Sequence, residues 1–322
     1  MVGKTSVEAF APASMGNVGI GFDILGLAFQ QPGDVVRAEL LEDGAQPGAV
    51  MVAIEGDEGR LSLDAAKNTA SVAANAFLKC IGDTHHRIGL TLHKNLPLAS
   101  GLGSSAASAV AAVVAVNALL GEPLRREDLL PCCMEGEALV SGYHADNVAP
   151  SLLGGLVLVA GTTAQDIHPL PIPSNLYFAL VTPNVAVPTA EARAVLPKEI
   201  PLKAMVSQTV GVARLLHALY RDDVEAMAAA MEQDGVIEPA RAHLMPLLNE
   251  QRRLAKQTGA LGLVISGAGP TLCAVCDQQG VAEQVAAKME AFYNEAGVGA
   301  VSRVTQVDEQ GAKVLNQGVI SR

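Results

Sequence analysis

The segment from Asn95 to Gly121 constrains the fold of this chain most, because its 27 residues include no charged side chain. A segment of that length would span a bilayer if it were apolar throughout. However, Gly and Ser residues interrupt its first half, and Leu, Ile and Phe are scarce in it. We therefore expect a helix over residues 104–120 that is buried inside a globular protein and entered through a Gly-Ser turn.

The composition indicates which side chains surround this helix. Apolar residues make up 50% of the 322-residue chain, whereas aromatic residues make up 3% and Trp is absent. The core must therefore be built from closely packed Ala, Val and Leu side chains. The length predicts about two domains of roughly 150 residues each, and the composition excludes disorder over most of the chain.

The charge distribution excludes partners that bind by bulk attraction. Lys and Arg total 22 against 33 for Asp and Glu, so the formal net charge is −11. The longest basic runs are the pairs Arg125-Arg126 and Arg252-Arg253. We therefore expect no nucleic-acid partner, and any bound phosphate must be held locally.

The N-terminal residues and the cysteines predict a cytoplasmic protein. The sequence MVGKTSVEAF lacks the apolar stretch of a secretory signal, and we expect no membrane partner. The five cysteines include the adjacent pair Cys132-Cys133, which is poorly placed for a disulfide. The CxxC of Cys273 and Cys276 lies in the apolar run TLCAVC, which favours a buried strand over a redox or metal site.

Hydrophobic periodicity divides the chain into elements. It predicts strands over residues 5–11, 22–29, 35–41, 50–55, 86–93, 155–160, 177–182, 261–265, 271–276 and 300–307. It predicts helices over residues 69–81, 104–120, 126–140, 203–220, 222–233, 244–258 and 281–296. The Pro-rich passage HPLPIP suggests a domain junction, which gives domains over 1–165 and 166–315 and a loose tail over 316–322. This order of elements resembles an α+β protein with a two-layer sandwich.

The segment PLASGLGSSAA, residues 97–107, has the features of a phosphate site. Gly101 and Gly103 allow successive backbone amides to turn inward, and a helix beginning at Ser104 adds free N–H groups and its positive dipole end. An ordinary Ser-capped helix after a glycine turn explains the segment equally well when it is taken alone. No Lys follows the glycines, so the segment is not a Walker A loop.

Two further segments are rich in small residues. PASMGNVGIGFDILG, residues 12–26, places Asn17 and Asp23 among glycines, where each can alternatively serve only to form a turn. SGAGP, residues 266–270, lies between two apolar strands and forms either a hairpin turn or a close backbone approach to a ligand.

The three segments, in their order along the chain (12–26, 97–107 and 266–270), resemble the three motifs of the GHMP kinases. This family is named for galactokinase, homoserine kinase, mevalonate kinase and phosphomevalonate kinase. The passages SGYHADNVAPSLLGG (141–155) and TAEARAVLP (189–197) resemble the homoserine kinase branch in particular. The resemblance implies an N-terminal domain like domain 2 of ribosomal protein S5 and a ferredoxin-like C-terminal domain. It also implies ATP-dependent phosphorylation of L-homoserine to O-phospho-L-homoserine in threonine biosynthesis.

The resemblance further implies a site for the amino-acid substrate. Arg193 and Arg241 match arginines that bind the carboxylate, a task that suits the planar guanidinium group. Asp23 matches a residue that faces the ammonium. Asn17 and Asn147 match residues that hold the amino and hydroxyl ends, and His144 is a candidate for a polar contact near the hydroxyl. The candidate substrate-binding residues are Asn17, Asp23, His144, Asn147, Arg193 and Arg241.

The nucleotide and metal site follows from the same resemblance. Glu137 matches an acidic Mg²⁺ ligand, and a hydroxyl of Ser104 or Ser105 is the second expected ligand. Glu135 is the competing candidate, which we interpret as solvent-exposed. Asn68 matches a position near the adenine of ATP, which the family binds in the syn conformation. The candidate nucleotide-binding residues are Asn68, Pro97, Leu98, Ala99, Ser100, Gly101, Leu102, Gly103, Ser104, Ser105, Ala106, Ala107, Gly267 and Gly269.

The expected mechanism is direct in-line transfer, because positioning and charge neutralisation supply most of the rate of phosphoryl transfer. We count Asn17, Asp23 and Glu137 as catalytic, with Asp23 as a binding group rather than an essential base. Two alternatives stay open, namely a GHMP kinase for a sugar or mevalonate and a noncatalytic sensor on the same fold. A sensor would need neither Glu137 nor an intact GLGSS. The resemblance also leaves a homodimer open.

Overall fold

The structure is a computed structural model that describes residues 4–42 and 46–319. The described strands are β1 (Lys4–Gly16), β2 (Leu25–Leu40), β3 (Gly48–Glu55), β4 (Arg87–His93), β5 (Leu156–Val159), β6 (Ile167–Leu170), β7 (Tyr177–Pro183), β8 (Gly262–Ile265), β9 (Leu272–Cys276), β10 (Ala300–Thr305) and β11 (Lys313–Val319). The described α-helices are α1 (Thr69–Cys80), α2 (Ser104–Leu119), α3 (Leu130–Ala138), α4 (Ala145–Leu153), α5 (Thr189–Ala194), α6 (Leu202–Tyr220), α7 (Val224–Met231), α8 (Ile237–Arg241), α9 (Leu248–Thr258) and α10 (Gln279–Glu295).

The first sheet is built around β1 and β2, two long antiparallel neighbours. Its order over the described residues is β11-β1-β2-β4-β3, with β5 and β6 attached through the first part of β2. Helix α2 lies against β1 and β2 and also contacts α1, α3 and α4. Small residues of β1, including Ala9, Ala11 and Ala13, are fully buried and allow this close packing.

Helix α2 confirms the interpretation of the uncharged segment. It covers Ser104–Leu119, and nearly all of its residues beyond the first turn are buried. A helix without a polar face requires protein on every side, and the neighbouring sheet and helices provide it. Within the described part of the chain, no helix is both long and apolar enough to cross a membrane.

The second sheet has the strand order β10-β7-β9-β8, and each neighbouring pair is antiparallel. Helices α9 and α10 pack on it, which gives the order of a ferredoxin-like sandwich. The predicted α+β class is therefore confirmed. Cys273 and Cys276 are buried in β9, and burial raises the pKa of the Cys276 thiol to about 12. The buried-strand interpretation of the CxxC is thus confirmed.

Several predicted boundaries are wrong for reasons of local chemistry. The strands predicted over 22–29 and 35–41 are one strand, β2, which begins only after a turn. Helices α4, α5 and α8 were not predicted, since two of them contain a proline and the third has six residues. Helix α9 begins at Leu248 rather than at 244, because the left-handed backbone at Leu247 (φ 55°) interrupts the helical pattern.

Two segments outside the predicted N-terminal domain, β6 and β11, belong to the first sheet. Residues Ile167–Leu170, at the start of the predicted domain junction, form β6 and pair with β5. Strand β11 pairs with β1, so the prediction of a loose tail is wrong over residues 316–319. The remaining tail residues, 320–322, lie outside the described residues. The polar composition of residues 316–319 suggested a loose tail, but polar residues also occur in a strand that covers the edge of a sheet.

Candidate active site

The three glycine-rich segments meet at one cavity of about 350 Å³. The segment 97–107 contacts the segment 266–270 and its neighbour Thr271 directly, through its backbone carbonyls. The Ser266 hydroxyl donates to the Gly101 carbonyl at 2.8 Å, and the Thr271 amide donates to the Ser100 carbonyl at 3.1 Å. The Asn17 side chain of the second segment donates to the Gly267 carbonyl at 3.0 Å. SGAGP joins the antiparallel strands β8 and β9, so its hairpin interpretation is confirmed, while close approach to a ligand stays a prediction.

The loop before α2 can be built only with glycine at two positions. Gly101 and Gly103 have φ values of 78° and 62°, a region that L residues rarely adopt. A Cβ atom at Gly101 would collide with the Ser266 carbonyl, and one at Gly103 would collide with the Ser14 hydroxyl. The N-terminus of α2 has no side-chain cap. Its first amides are thus available to a ligand, which favours a phosphate site over an ordinary Ser-capped helix.

Most, but not all, of the nucleotide-binding candidates line the cavity. Those that do are Asn68, Leu98, Ala99, Ser100, Gly101, Gly103, Ser104, Ser105 and Gly267. Those that do not are Pro97, Leu102, Ala106, Ala107 and Gly269. Leu102 and the two alanines belong to the hydrophobic core, because the inner face of the loop and helix packs against the sheet. A contiguous sequence motif does not distinguish that inner face from the cavity face.

Asn68 has a structural role that accounts for its side chain. Its Oδ1 accepts a hydrogen bond from the Ala70 amide at 3.0 Å and caps α1. Its Nδ2 donates to the Ser62 carbonyl at 3.1 Å. The proposed contact with adenine stays a prediction.

Two acidic residues of α3 differ sharply in their surroundings. Glu137 is 5% exposed and accepts hydrogen bonds from the Ser105 hydroxyl at 2.7 Å and from the Ser141 hydroxyl. Burial raises the pKa of the Glu137 carboxyl, while the two hydroxyls partly oppose this effect. Glu135 is exposed and accepts from the Tyr143 hydroxyl at 3.1 Å. Of these two residues, only Glu137 lines the cavity.

Another part of the cavity lining carries paired charges. Arg193 donates to both oxygens of Asp23, at 2.7 and 3.2 Å, and the His144 Nδ1 lies 3.5 Å from Asp23 Oδ2. Arg241 is 3% exposed and donates to the carbonyls of Ala192 and Gly267. Burial lowers the pKa of Arg241, and nearby Arg193 adds to this effect. The sequence-predicted arginines are therefore brought together.

Asn17 and Asn147 shape the backbone around these charges. Asn17 Oδ1 accepts from the Asp23 amide at 3.0 Å, and both residues have left-handed backbones, with φ values of 72° and 61°. Asn147 Oδ1 accepts from the Ser14 hydroxyl at 3.0 Å and from the Gly16 amide at 3.1 Å. The turn-forming role that sequence allows for Asn17 is thus present, yet both asparagines also line the cavity.

Three charged residues that line the cavity, Lys67, Lys94 and Asp146, were not identified from the sequence. The Lys94 ammonium forms an ion pair with Asp34 and donates to the Ser104 carbonyl at 2.6 Å. Asp146 is 3% exposed, and its pKa is raised to about 7 by burial and by the charges of Asp23 and Glu137. The position of Asp146 inside the HADN motif was the one available signal, whereas nothing local distinguished Lys94.

Comparisons with known proteins agree with this geometry. Two family models match, described as the GHMP kinases N terminal domain over residues 68–155 and GHMP kinases C terminal over residues 215–295. A homoserine kinase of Chloroherpeton thalassium is 42% identical over 318 residues, which cover 96% of this chain and 99% of that protein. The chain belongs to the homoserine kinase family of GHMP kinases. A homoserine kinase of Arabidopsis thaliana is 41% identical over 97% of this chain and 85% of that protein.

Solved structures also match. A crystal structure of homoserine kinase from Cytophaga hutchinsonii superposes with a TM-score of 0.91 at 42% identity, covering 97% of this chain and 98% of that one. The L. major mevalonate kinase in complex with R-mevalonate has a TM-score of 0.72 at 16% identity, covering 95% and 98% of the two chains, and that likeness concerns the fold alone. Membership of the homoserine kinase family confirms the resemblance found in the sequence.

Proposed function

We propose that this protein transfers the γ-phosphoryl group of ATP to the side-chain hydroxyl of L-homoserine, forming O-phospho-L-homoserine and ADP. The observation that carries the proposal is the cavity itself. It joins the uncapped start of α2, suited to phosphate, to Asp23, Arg193 and Arg241, suited to an amino acid. In a member of the homoserine kinase family, these two ends correspond to the two substrates, and the reaction belongs to threonine biosynthesis.

The charges of the substrate fix its orientation. The carboxylate binds Arg193 and Arg241, and the ammonium binds Asp23, with His144 beside it. The hydroxyl then extends toward Asn147, whose side chain lies next to the loop at Gly103. Substrate hydroxyl and nucleotide phosphate thus meet at the entrance to α2.

The reaction implies a Mg²⁺ ion, and the residues present fit it. Magnesium prefers oxygen ligands and usually takes only one or two from protein side chains. Glu137 and the hydroxyl of Ser105 are already in contact, whereas the Ser104 hydroxyl donates to the Leu96 carbonyl. We therefore propose Glu137 and Ser105 as the protein ligands. When bound, the ion neutralises charge on the phosphates. Among the described residues, no group of three or more His, Cys, Asp or Glu side chains is placed to bind a metal ion.

The transfer step needs little covalent chemistry from the protein. The hydroxyl oxygen forms a bond to the γ-phosphorus, the bond to the β,γ-bridging oxygen breaks, ADP leaves with that electron pair, and the hydroxyl proton is released. The loose transition state makes positioning and charge neutralisation the main contributions. The amides at the start of α2 hold the phosphates, and Asp23 with the two arginines holds the acceptor in line.

A coupled ADP-release assay tests the proposed function. We expect ADP release with L-homoserine and only background release with mevalonate or galactose, because neither of those carries the ammonium that Asp23 binds. Phosphorus NMR should identify a phosphate ester on the side-chain hydroxyl. Comparable turnover of mevalonate or galactose would support another GHMP kinase instead. Binding of homoserine and ATP without ADP release would support the sensor.

Replacing Asp23 by Asn tests whether this residue binds or acts as a base. We expect the homoserine concentration at half-maximal rate to rise about 10-fold or more, because a charge-assisted hydrogen bond contributes about 1.5–3 kcal/mol. Turnover at saturation should fall only modestly. The measurement is steady-state kinetics at saturating ATP, with calorimetric homoserine binding beside it. Loss of saturated turnover by about 10² to 10⁴ with intact binding would instead identify Asp23 as the base.

Three broader expectations stay proposals. We propose a cytoplasmic location and leave a homodimer open to measurement by light scattering. We also propose that residues 1–165 mainly bind ATP, while residues 166–315 supply the arginines for the substrate. The location of the phosphate loop and of Arg193 and Arg241 in different halves supports this division.

A further inference from the structure

One aromatic ring, that of Phe22, contacts both arginines of the site. The Cζ atoms of Arg193 and Arg241 are 5.5 and 5.4 Å from the centroid of the Phe22 ring. Both distances are within the range of a cation–π contact. Phe22 is half-buried, lines the cavity and directly precedes Asp23 in the turn after β1.

The two guanidinium groups need such a neighbour because they carry the same charge. Arg193 contributes to the lowered pKa of Arg241, so the two like charges repel each other. Arg193 has Asp23 as an opposite charge, at 2.7 Å. In the described part of the chain, Arg241 has no carboxylate within ion-pair distance. The electron-rich faces of the Phe22 ring offset the repulsion without occupying the hydrogen-bonding edges of the guanidiniums.

The backbone fixes the ring relative to Arg241. The Asp23 amide donates to Asn17, and the Asn17 side chain donates to the Gly267 carbonyl. The same carbonyl oxygen accepts a hydrogen bond from Arg241 at 3.1 Å. The turn that contains Phe22 and the guanidinium of Arg241 are therefore both linked to the Gly267 carbonyl oxygen.

We propose that Phe22 is a positioning residue that holds Arg193 and Arg241 at the spacing of a single substrate carboxylate. The inference rests on the proposed function and deepens it. When homoserine binds, its ammonium contacts Asp23, so Arg193 loses its hydrogen bonds to this carboxylate. The ring then keeps the Arg193 guanidinium beside Arg241 during this exchange of partners.

Replacing Phe22 by Leu removes the ring and keeps an apolar side chain, whereas Phe22→Tyr is the matched control that keeps the ring. We expect KM for homoserine to rise about tenfold in Phe22→Leu, as expected for the loss of two partly buried cation–π contacts. The kcat should stay within about twofold, because the ring does not touch the reacting atoms. Phe22→Tyr should stay close to the parent in both constants, and KM for ATP should not change in either variant.

A substrate analogue separates positioning of the arginines from general shaping of the cavity. 3-Aminopropan-1-ol has the ammonium and hydroxyl of homoserine but no carboxylate, so its inhibition constant should be equal in the parent and in Phe22→Leu. An equal rise in this constant and in KM for homoserine would overturn the proposal, as would an unchanged KM. If Phe22→Leu fails to fold, Phe22→Met offers the same comparison. A parent enzyme without homoserine turnover would instead remove the proposed function.

Discussion

Replacement of Glu137 by Gln should lower kcat at saturating ATP and homoserine by about 10² to 10³. A bound Mg²⁺ ion contributes several kcal/mol by stabilising charge in phosphoryl transfer. Gln keeps the volume and one carbonyl oxygen but removes the charge that holds the ion. The lost affinity for Mg²⁺ should appear as a shift of the Mg²⁺ dependence of the rate to higher concentration. Homoserine binding without ATP should be retained, because Glu137 lies with Ser105 at the phosphate end of the cavity.

The stability of this variant distinguishes a functional carboxylate from a structural one. Glu137 is buried, and burial raises its pKa, so ionisation of this group costs free energy in the folded protein. Without Mg²⁺, Glu137→Gln should therefore unfold at the same temperature as the parent or at a higher one. A marked loss of stability together with normal Mg²⁺ dependence would contradict the assignment of Glu137 as a metal ligand.

Glu135→Gln is the matched control. It lies two residues away on the same helix and is exposed, and within the described ranges its side chain accepts hydrogen bonds from the Tyr143 hydroxyl alone. Removal of its charge should leave kcat and the Mg²⁺ dependence within about twofold of the parent, since exposed charges contribute little. Equal losses in both variants would indicate a general electrostatic effect rather than a ligand.

The sequence predicts elements well where one physical requirement dominates. An uncharged Ala- and Val-rich segment has no stable place except a buried helix, and α2 is found within one residue of the expected end. Strand β2 was divided in the prediction, because Gln and Pro residues in its centre resemble a break. Pairing of β11 with β1 joins residues about 300 positions apart, and local periodicity contains no information about such a contact.

In the candidate site, too, local features could be predicted from the sequence and long-range contacts could not. Gly101 and Gly103 were identified because a tight turn requires glycine at those positions, and their backbones are indeed left-handed. The ion pair of Asp23 with Arg193 spans 170 positions, so its existence followed only from the three-dimensional arrangement. The same holds for Phe22, an apolar residue whose importance depends on which cations face its ring.

The buried network beneath the phosphate loop predicts the largest effect on stability. The side chains of Lys94 and Asp34 are 2% and 0% exposed and form an ion pair. Asp34 also accepts from the amides of Asn95 and Leu96, at 3.0 and 3.1 Å, and from the Ser108 hydroxyl at 2.7 Å. Lys94 donates to the first carbonyl of α2. The network therefore fixes both ends of the loop.

Lys94→Met should lower the free energy of unfolding by about 3–5 kcal/mol, because removal of one partner leaves the Asp34 carboxylate buried without its counter-ion. Urea denaturation of parent and variant measures the change. The double variant Lys94→Met/Asp34→Asn should recover part of the loss, since the remaining amide oxygen still accepts from the loop amides and no charge is buried. ATP affinity should stay reduced in the double variant, because α2 is no longer tied to Lys94. A stability loss below about 1 kcal/mol for Lys94→Met would contradict the role of the ion pair.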